Sequence, residues 1–202
     1  MAISLRPGLT LYFCRHGETE ANLRKQLQGQ TRDSALTPLG IEQARAVGKI
    51  LSAQGATDVD YVSSPLQRAR STIEIVRATI GLPPDLYRID ARLIEANFGS
   101  WDGLTLEEAR RREPDAYQAR QRDKWNVTDA GGRENYSQVA ARAESFVDGL
   151  VADTCAVSHG VWTRVLRGLF AEMSWQEMSD LDEPQGVLFR ARGRTVKLLD
   201  PA

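Results

Sequence analysis

Apolar, strand-forming runs alternate with helical segments along this chain, and three of the runs break off at polar, loop-forming residues. Leu9 to Cys14 stops at Arg15-His16-Gly17. Val59 to Val62 stops at Ser63-Ser64-Pro65, and Thr154 to Val157 at Ser158-His159-Gly160. Short apolar runs bounded in this way read as buried strands. The helix signals between them are local. Thr37-Pro38 supplies an N-cap and a proline at the first helical position, followed by Leu39, Val47, Ile50 and Leu51 as an apolar stripe and by Gly55 as a stop. Ser63-Ser64-Pro65 repeats the signal for a helix ending near Gly81. Pro83-Pro84 forces a loop, and Tyr87 to Ile94 is predicted to be extended. Thr105-Leu106-Glu107-Glu108 is a capping box. Tyr136 to Val151 is amphipathic, with Val139, Ala143, Phe146, Val147, Leu150 and Val151 on one face. Val161 to Ala171 is again helical, and Val187–Ala191 and Thr195–Leu199 form a hairpin around Gly193. This order predicts an α/β fold, a three-layer sandwich with a mainly parallel central sheet flanked by helices. We read one domain over 1–202, with 97–133 as an insertion. Within it, residues 113–133 are predicted to be irregular, with a bend at Gly131-Gly132.

The chain has two histidines in 202 residues, His16 and His159, and both stand at these strand ends with glycine after them. Imidazole is the side chain suited to proton and phosphoryl traffic near neutral pH. Sites in parallel sheets form at the carboxyl ends of strands. If the three ends meet, they share Arg15, His16, Arg68 and His159. Arg68 falls in the first turn after Pro65, at a helix end whose free amides and dipole favour anions. Two guanidiniums, each able to hold oxygens bidentately, suit a tetrahedral phosphate. A neutral imidazole can attack phosphorus, and arginines can neutralise the developing charge without a metal. Glu95, between an apolar pair and an aromatic-glycine loop, is the candidate acid for the leaving group. Apolar neighbours raise a carboxyl pKa.

Charge and cysteine usage narrow the remaining classes. The formal net charge of −1 gives no global attraction to nucleic acid or an anionic membrane. Arg110-Arg111-Arg112 resembles a basic patch, yet residues 107–124 hold six Arg or Lys against five Asp or Glu, which fits a solvated face. No run approaches the roughly 20 apolar residues of a membrane span, and Met1 to Gly8 lacks a signal-peptide pattern. A cytoplasmic protein is expected, with Cys14 and Cys155 as buried thiols in a reducing compartment. A cysteine phosphatase loop would need Arg six residues after the cysteine; those positions hold Glu20 and Val161. Trp101 and Trp125, in the insertion, are candidates for a pocket wall.

The motifs together resemble the histidine phosphatase superfamily, which includes the cofactor-dependent phosphoglycerate mutases. They are Arg15-His16-Gly17-Glu18-Thr19 with Asn22, Gln28-Gly29-Gln30, Leu36-Thr37-Pro38 with Gly40, Gln43 and Ala44, Ser63-Ser64-Pro65-Leu66 with Arg68 and Ala69, Glu95 with Phe98-Gly99 and Trp101, and Ser158-His159-Gly160. The resemblance implies a phosphoglycerate mutase-like fold and His16 as nucleophile. It implies that Arg15, Arg68 and His159 hold the phosphate, that Glu95 donates the proton, and that Asn22 and the Gln28-Gly29 loop line the pocket. No metal or cofactor is expected; the partner is a small phosphorylated metabolite, and a homodimer is compatible. The chain departs from the family where Gly-Gly-Glu-Ser is common: it reads Gly132-Arg133-Glu134-Asn135, with Glu134 eight residues before Arg142. A phosphomonoesterase is favoured, because no dedicated second basic cluster is evident. Arg120, Arg122, Lys124 and Arg133 could supply one, so a mutase is the alternative. A non-catalytic phospho-ligand binder is the third reading, opposed by the intact set of Arg15, His16, Arg68, Glu95 and His159.

Overall fold

The computed structural model describes residues 3–127 and 133–199. Among these residues six strands form one sheet: β1 (Thr10–Arg15), β2 (Asp60–Ser63), β3 (Arg88–Ile89), β4 (Thr154–Ser158), β5 (Leu188–Arg192) and β6 (Thr195–Leu199), in the order β3-β2-β4-β1-β5-β6. The first four run parallel; β5 and β6 are antiparallel and close one edge. Parallel neighbours need crossovers, which the helices supply. They are α1 (Glu20–Leu23), α2 (Pro38–Ala53), α3 (Gln67–Thr79), α4 (Leu106–Arg112), α5 (Pro114–Arg122), α6 (Tyr136–Asp148), α7 (Gly160–Phe170) and α8 (Trp175–Asp180). Alternation along β1 divides the core. Leu11 and Phe13 join one apolar cluster with residues of α6 and α7, and Tyr12 and Cys14 join another with residues of α2 and α3. Helices therefore cover both faces, giving the three layers that the sequence predicts. Cys14 and Cys155 are both free and buried.

Four local expectations are corrected. Over Tyr87 to Ile94 only Arg88–Ile89 is strand; a 3₁₀ turn follows over Ala91–Leu93, capped by Asp90, whose carboxylate accepts from the Arg92 amide at 2.9 Å. Residues 113–133 are not wholly irregular, because Pro114 sits in the first turn of α5, where its fixed φ starts a helix rather than breaking one. The helix from Tyr136 stops at Asp148 with Gly149 as its cap, and Val151 is exposed rather than on the buried face. Helix α8 comes from a further capping box, Ser174 with Glu177, that the sequence reading passed over. Leu39 of the α2 stripe is also exposed. The bend predicted at Gly131-Gly132 lies outside the described residues.

Candidate active site

Strands β2, β4 and β1 are neighbours, so their carboxyl ends lie side by side. The His16 amide donates to the Ser158 carbonyl at 2.9 Å and the Ser64 amide to the Val157 carbonyl at 3.0 Å, which continues the ladder one residue past each strand. The loop leaving β1 then packs directly on the first turn of α2. A Cβ at Gly17 would lie 2.3 Å from the Gly40 carbonyl oxygen, and one at Gly40 would lie 2.1 Å from that of Glu18. Glycine at both positions is a matter of backbone approach. The Gly17 amide donates to Thr72 Oγ1 of α3 at 3.0 Å, so both helices on this face fix the loop that carries His16.

The ring of His16 has one defined tautomer. Its Nδ1 is 2.8 Å from the Gly17 carbonyl, which can only accept, so Nδ1 carries the proton. Nε2 is left with its lone pair and accepts from Arg68 Nε at 3.2 Å. Burial, with the Arg68 and Arg15 guanidiniums nearby, holds the His16 pKa well below its ordinary value of 6.5, so the ring is neutral at neutral pH. His159 packs edge-on against it, with ring centroids 5.2 Å apart. Its Nε2 lies 2.6 Å from Ser64 Oγ, while its Nδ1 is buried without a hydrogen-bond partner. Burial and the Arg68 charge lower the His159 pKa well below 6.5 too.

Arg68 is nearly inaccessible and is held on all sides. Nη2 donates to the Gly29 carbonyl at 2.8 Å, and Nη1 to the Arg32 carbonyl at 3.0 Å and to Asp33 Oδ1 at 3.2 Å. Asp33 also accepts from the amides of Gln67 and Arg68 at 2.6 and 3.3 Å. The expected start of this helix is thereby corrected: Ser64 does not cap it. Its hydroxyl meets His159 and accepts only from the Leu66 amide, at 3.3 Å; Leu66 is the N-cap residue without a side-chain bond, and Asp33, from a different loop, takes the helix's free amides. Gly29 has φ +51°, and a Cβ there would lie 1.9 Å from Asp102 Oδ1.

Arg15, His16, Asn22, Gln28, Gly29, Arg68 and Glu95 all line one cavity of about 230 Å³. His159 is not among the lining residues and is fully buried against His16. Gln28 donates to Thr19 Oγ1 at 2.9 Å, and Asn22 Oδ1 accepts from the Thr19 amide at 3.1 Å, so both also order the loop that carries them. Glu95 ends an irregular segment in which the Arg92, Leu93 and Glu95 carbonyls are taken by side chains. Trp162 Nε1 and Arg142 Nη1 donate to that of Arg92 at 2.9 and 3.0 Å, Ser158 Oγ to that of Leu93 at 2.6 Å, and Gln30 Nε2 to that of Glu95 at 2.7 Å. These bonds replace the strand ladder predicted there. Burial, with the Glu183 carboxylate as the next cause, raises the Glu95 pKa above its ordinary value of 4.5.

Three cations that complete the cavity wall, Arg120, Lys124 and Arg164, come from α5, the turn after it and α7. Arg120 and Lys124 belong to the set weighed from the sequence as a second basic cluster, and they do reach the wall. Arg122 is exposed and Arg133 turns away, donating to Ser100 Oγ and Glu113 Oε2, both at 2.8 Å, over the Trp101 ring. Asn135 caps α6, and Glu134 pairs with Arg142 at 2.9 Å, so the departed motif builds the frame. Trp101 lines the cavity, whereas Trp125 packs against the core. Arg164, Asp33 and Glu183 were not found from the sequence. For Arg164 a signal existed: it lies one helical turn beyond Gly160 and so shares its face. Among the described residues no group of three or more His, Cys, Asp or Glu is placed to hold a metal ion.

A model of the histidine phosphatase superfamily (branch 1) matches residues 11–191. The chain belongs to that superfamily. The superfamily's human 6-phosphofructo-2-kinase/fructose-2,6-bisphosphatase 3 is 31% identical over 186 residues, covering 91% of this chain and 34% of that protein. The 2,3-bisphosphoglycerate-dependent phosphoglycerate mutase of Methylorubrum populi is 37% identical over 134 residues, covering 65% of this chain and 61% of the mutase. Among solved histidine phosphatase structures, the mycobacterial glucosyl-3-phosphoglycerate phosphatase with VO3 superposes with a TM-score of 0.75 at 27% identity, covering 96% of this chain and 98% of the other. The chain spans about a third to a half of the length of the first curated relatives it matches. No helix among the described residues is long and apolar enough to cross a membrane.

Proposed function

We propose that the chain is a phosphomonoesterase that acts on a small phosphorylated metabolite through a phosphohistidine at His16. One observation carries the reading: His16 lines the cavity with its Nδ1 proton tied to the Gly17 carbonyl, so its lone pair is on Nε2, where Arg68 Nε donates to it until a phosphoryl group takes that place. Around it, Arg15 Nε and His159 Nδ1 are buried and without partners, and with Arg68 they would take phosphoryl oxygens. Nε2 attacks phosphorus in line, the P–O bond to the leaving group breaks, and Glu95, protonated, gives that oxygen its proton. Water then attacks phosphorus, the bond from Nε2 to phosphorus breaks to free inorganic phosphate, and the Glu95 carboxylate takes a proton from the water. Charge neutralisation rests on the arginines, so the reaction needs no metal in this scheme.

The relatives named above include two phosphatases and a mutase. A mutase reading draws on Arg120, Lys124 and Arg164, which offer a grip for a second acidic group of the substrate. Hydrolysis is favoured because the Glu183 carboxylate pairs with one of those cations, Arg164, at 3.2 Å, and stands 3.7 Å from Arg15. The test is release of inorganic phosphate from p-nitrophenyl phosphate and a panel of phosphomonoesters in EDTA, beside His16→Ala. Turnover by the wild type and its loss in His16→Ala are expected, with ³²P from a labelled ester retained in trapped wild type as an acid-labile, alkali-stable phosphohistidine. Undiminished release by His16→Ala overturns the reading. Dominant interconversion of 3- and 2-phosphoglycerate, dependent on the bisphosphate, replaces it with the mutase.

A further inference from the structure

Glu183 has no part in the scheme above, yet it is built into the cavity. It lies in the loop between α8 and β5, and that loop is pinned on both sides. Arg167 donates to the Asp182 carbonyl at 2.8 Å and pairs with its carboxylate at 3.0 Å. Gln185 Nε2 donates to the His16 carbonyl at 3.0 Å and to Asn22 Oδ1 at 3.2 Å. Between these anchors the Glu183 main-chain carbonyl accepts from Arg15 Nη1 at 2.8 Å, and its carboxylate lies between Arg15 and Arg164. The carboxylate also rests on the first residue of α7. A Cβ at Gly160 would lie 2.2 Å from Glu183 Oε2, so glycine after His159 makes room for this side chain.

This placement matters because of what the Arg15–Arg164 gap would otherwise attract. Two guanidiniums at the N-terminal end of an eleven-residue helix form a strong anion site. Arg164 lines the cavity, its Nη1 donates to the Tyr136 hydroxyl at 3.0 Å, and its Nε has no partner, so the guanidinium keeps a spare donor even with Glu183 in place. A second anion entering there meets a fixed negative charge and must share or displace it. A hydroxyl can accept from Arg164 and donate to Glu183 without that conflict. We infer that Glu183 is a specificity-determining residue, whose carboxylate fills the Arg15–Arg164 gap and selects phosphate esters with a neutral, hydroxyl-bearing leaving group over those with a second anionic group. The inference rests on the phosphoesterase reading for its assay but not for its physics.

The experiment compares glycerol 2-phosphate, whose leaving group is neutral, with 3-phosphoglycerate, whose leaving group carries a carboxylate. The readout is the ratio of kcat/KM for the two esters in wild type, Glu183→Gln and Glu183→Ala. The glutamine is nearly isosteric and keeps the main-chain bond to Arg15, so it removes the charge at constant size, with one acceptor oxygen replaced by an amide NH2. The ratio of 3-phosphoglycerate to glycerol 2-phosphate is expected to rise at least tenfold in both variants, and to fall back when Arg164→Leu is added. Any effect of Glu183 on Glu95 acts on both esters and cancels. The same ratio of affinities, measured by calorimetry for both esters on a His16→Ala background, gives a readout that needs no turnover. A ratio within twofold of wild type in both measurements overturns the assignment of Glu183. Absence of turnover with a shifted binding ratio overturns the phosphatase reading and leaves Glu183 standing.

Discussion

Burial acts in opposite directions on the two groups that would move the proton and the phosphoryl group. It holds His16 neutral, as a nucleophile, by lowering its pKa, and it favours the protonated acid at Glu95 by raising that pKa. Removing the transferable proton without changing the shape of the side chain, in Glu95→Gln, is expected to lower kcat/KM on glycerol 2-phosphate by about a hundredfold or more, within the usual range for general-acid catalysis. The loss of kcat/KM on p-nitrophenyl phosphate is expected to be much smaller, because kcat/KM reports the step that cleaves the ester and a nitrophenolate leaves without a proton. The pH profile has matching signs. Activity on the alkyl ester falls as pH rises through the raised pKa of Glu95, and falls on the acid side only well below 6.5, where His16 takes up a proton. Steady-state kinetics on the two esters across pH checks both. An equal loss on both esters would assign Glu95 a structural role instead.

The elements that carry these groups are fixed by backbone contacts that leave no space for side chains. The contact between the loop after β1 and the first turn of α2 is the closest, since a Cβ at Gly40 would lie 2.1 Å from the Glu18 carbonyl oxygen and 2.8 Å from its amide nitrogen. Both neighbours are main chain, so neither can swing aside. Gly40→Ala is expected to destabilise by about 1–3 kcal/mol, as overpacking does. That corresponds to a fall of several degrees in Tm for a chain of this size. It should also lower kcat/KM, because the loop that yields carries His16. An unchanged Tm together with unchanged kcat/KM would show that the contact carries no strain. Such contacts also explain what could be read in advance. Thr37 and Thr105 cap helices through neighbours in sequence, so α2 and α4 were legible. The cap of α3 comes from Asp33, 34 residues before Gln67, and no local rule finds it. The segment before Glu95 failed for the same reason: its carbonyls bond to Arg142, Ser158, Trp162 and Gln30, none of them near in sequence.

At the scale of the whole molecule, strand order does the work that sequence proximity cannot. Placing β4 between β2 and β1 brings residues from positions 16, 64 and 159 into contact, and both histidines enter the buried interior as neutral rings. The motifs made that convergence legible, while the far wall, with Arg164 and Glu183, depends on how α7 and the loop before β5 face each other. The buried pair has a consequence for stability. Both rings have folded-state pKa values depressed well below 6.5, whereas the unfolded chain takes up their protons as pH falls through about 6.5. The unfolded state therefore binds more protons in that window, and stability is lost on acidification from there down toward the folded-state values. Each ring can cost up to about 1.4 kcal/mol per pH unit. Glu95 works against them: its raised pKa makes the folded state the better proton acceptor above 4.5, so its contribution is lost as pH rises. With two rings against one carboxyl, calorimetry is expected to show Tm falling between about pH 6.5 and about pH 5. The His16→Asn/His159→Asn double variant, whatever its Tm at neutral pH, should lose less over the same interval. Parallel Tm curves for the two proteins would mean that the histidines take up protons in the folded state, and would remove the neutral-ring premise on which nucleophilic attack by His16 depends.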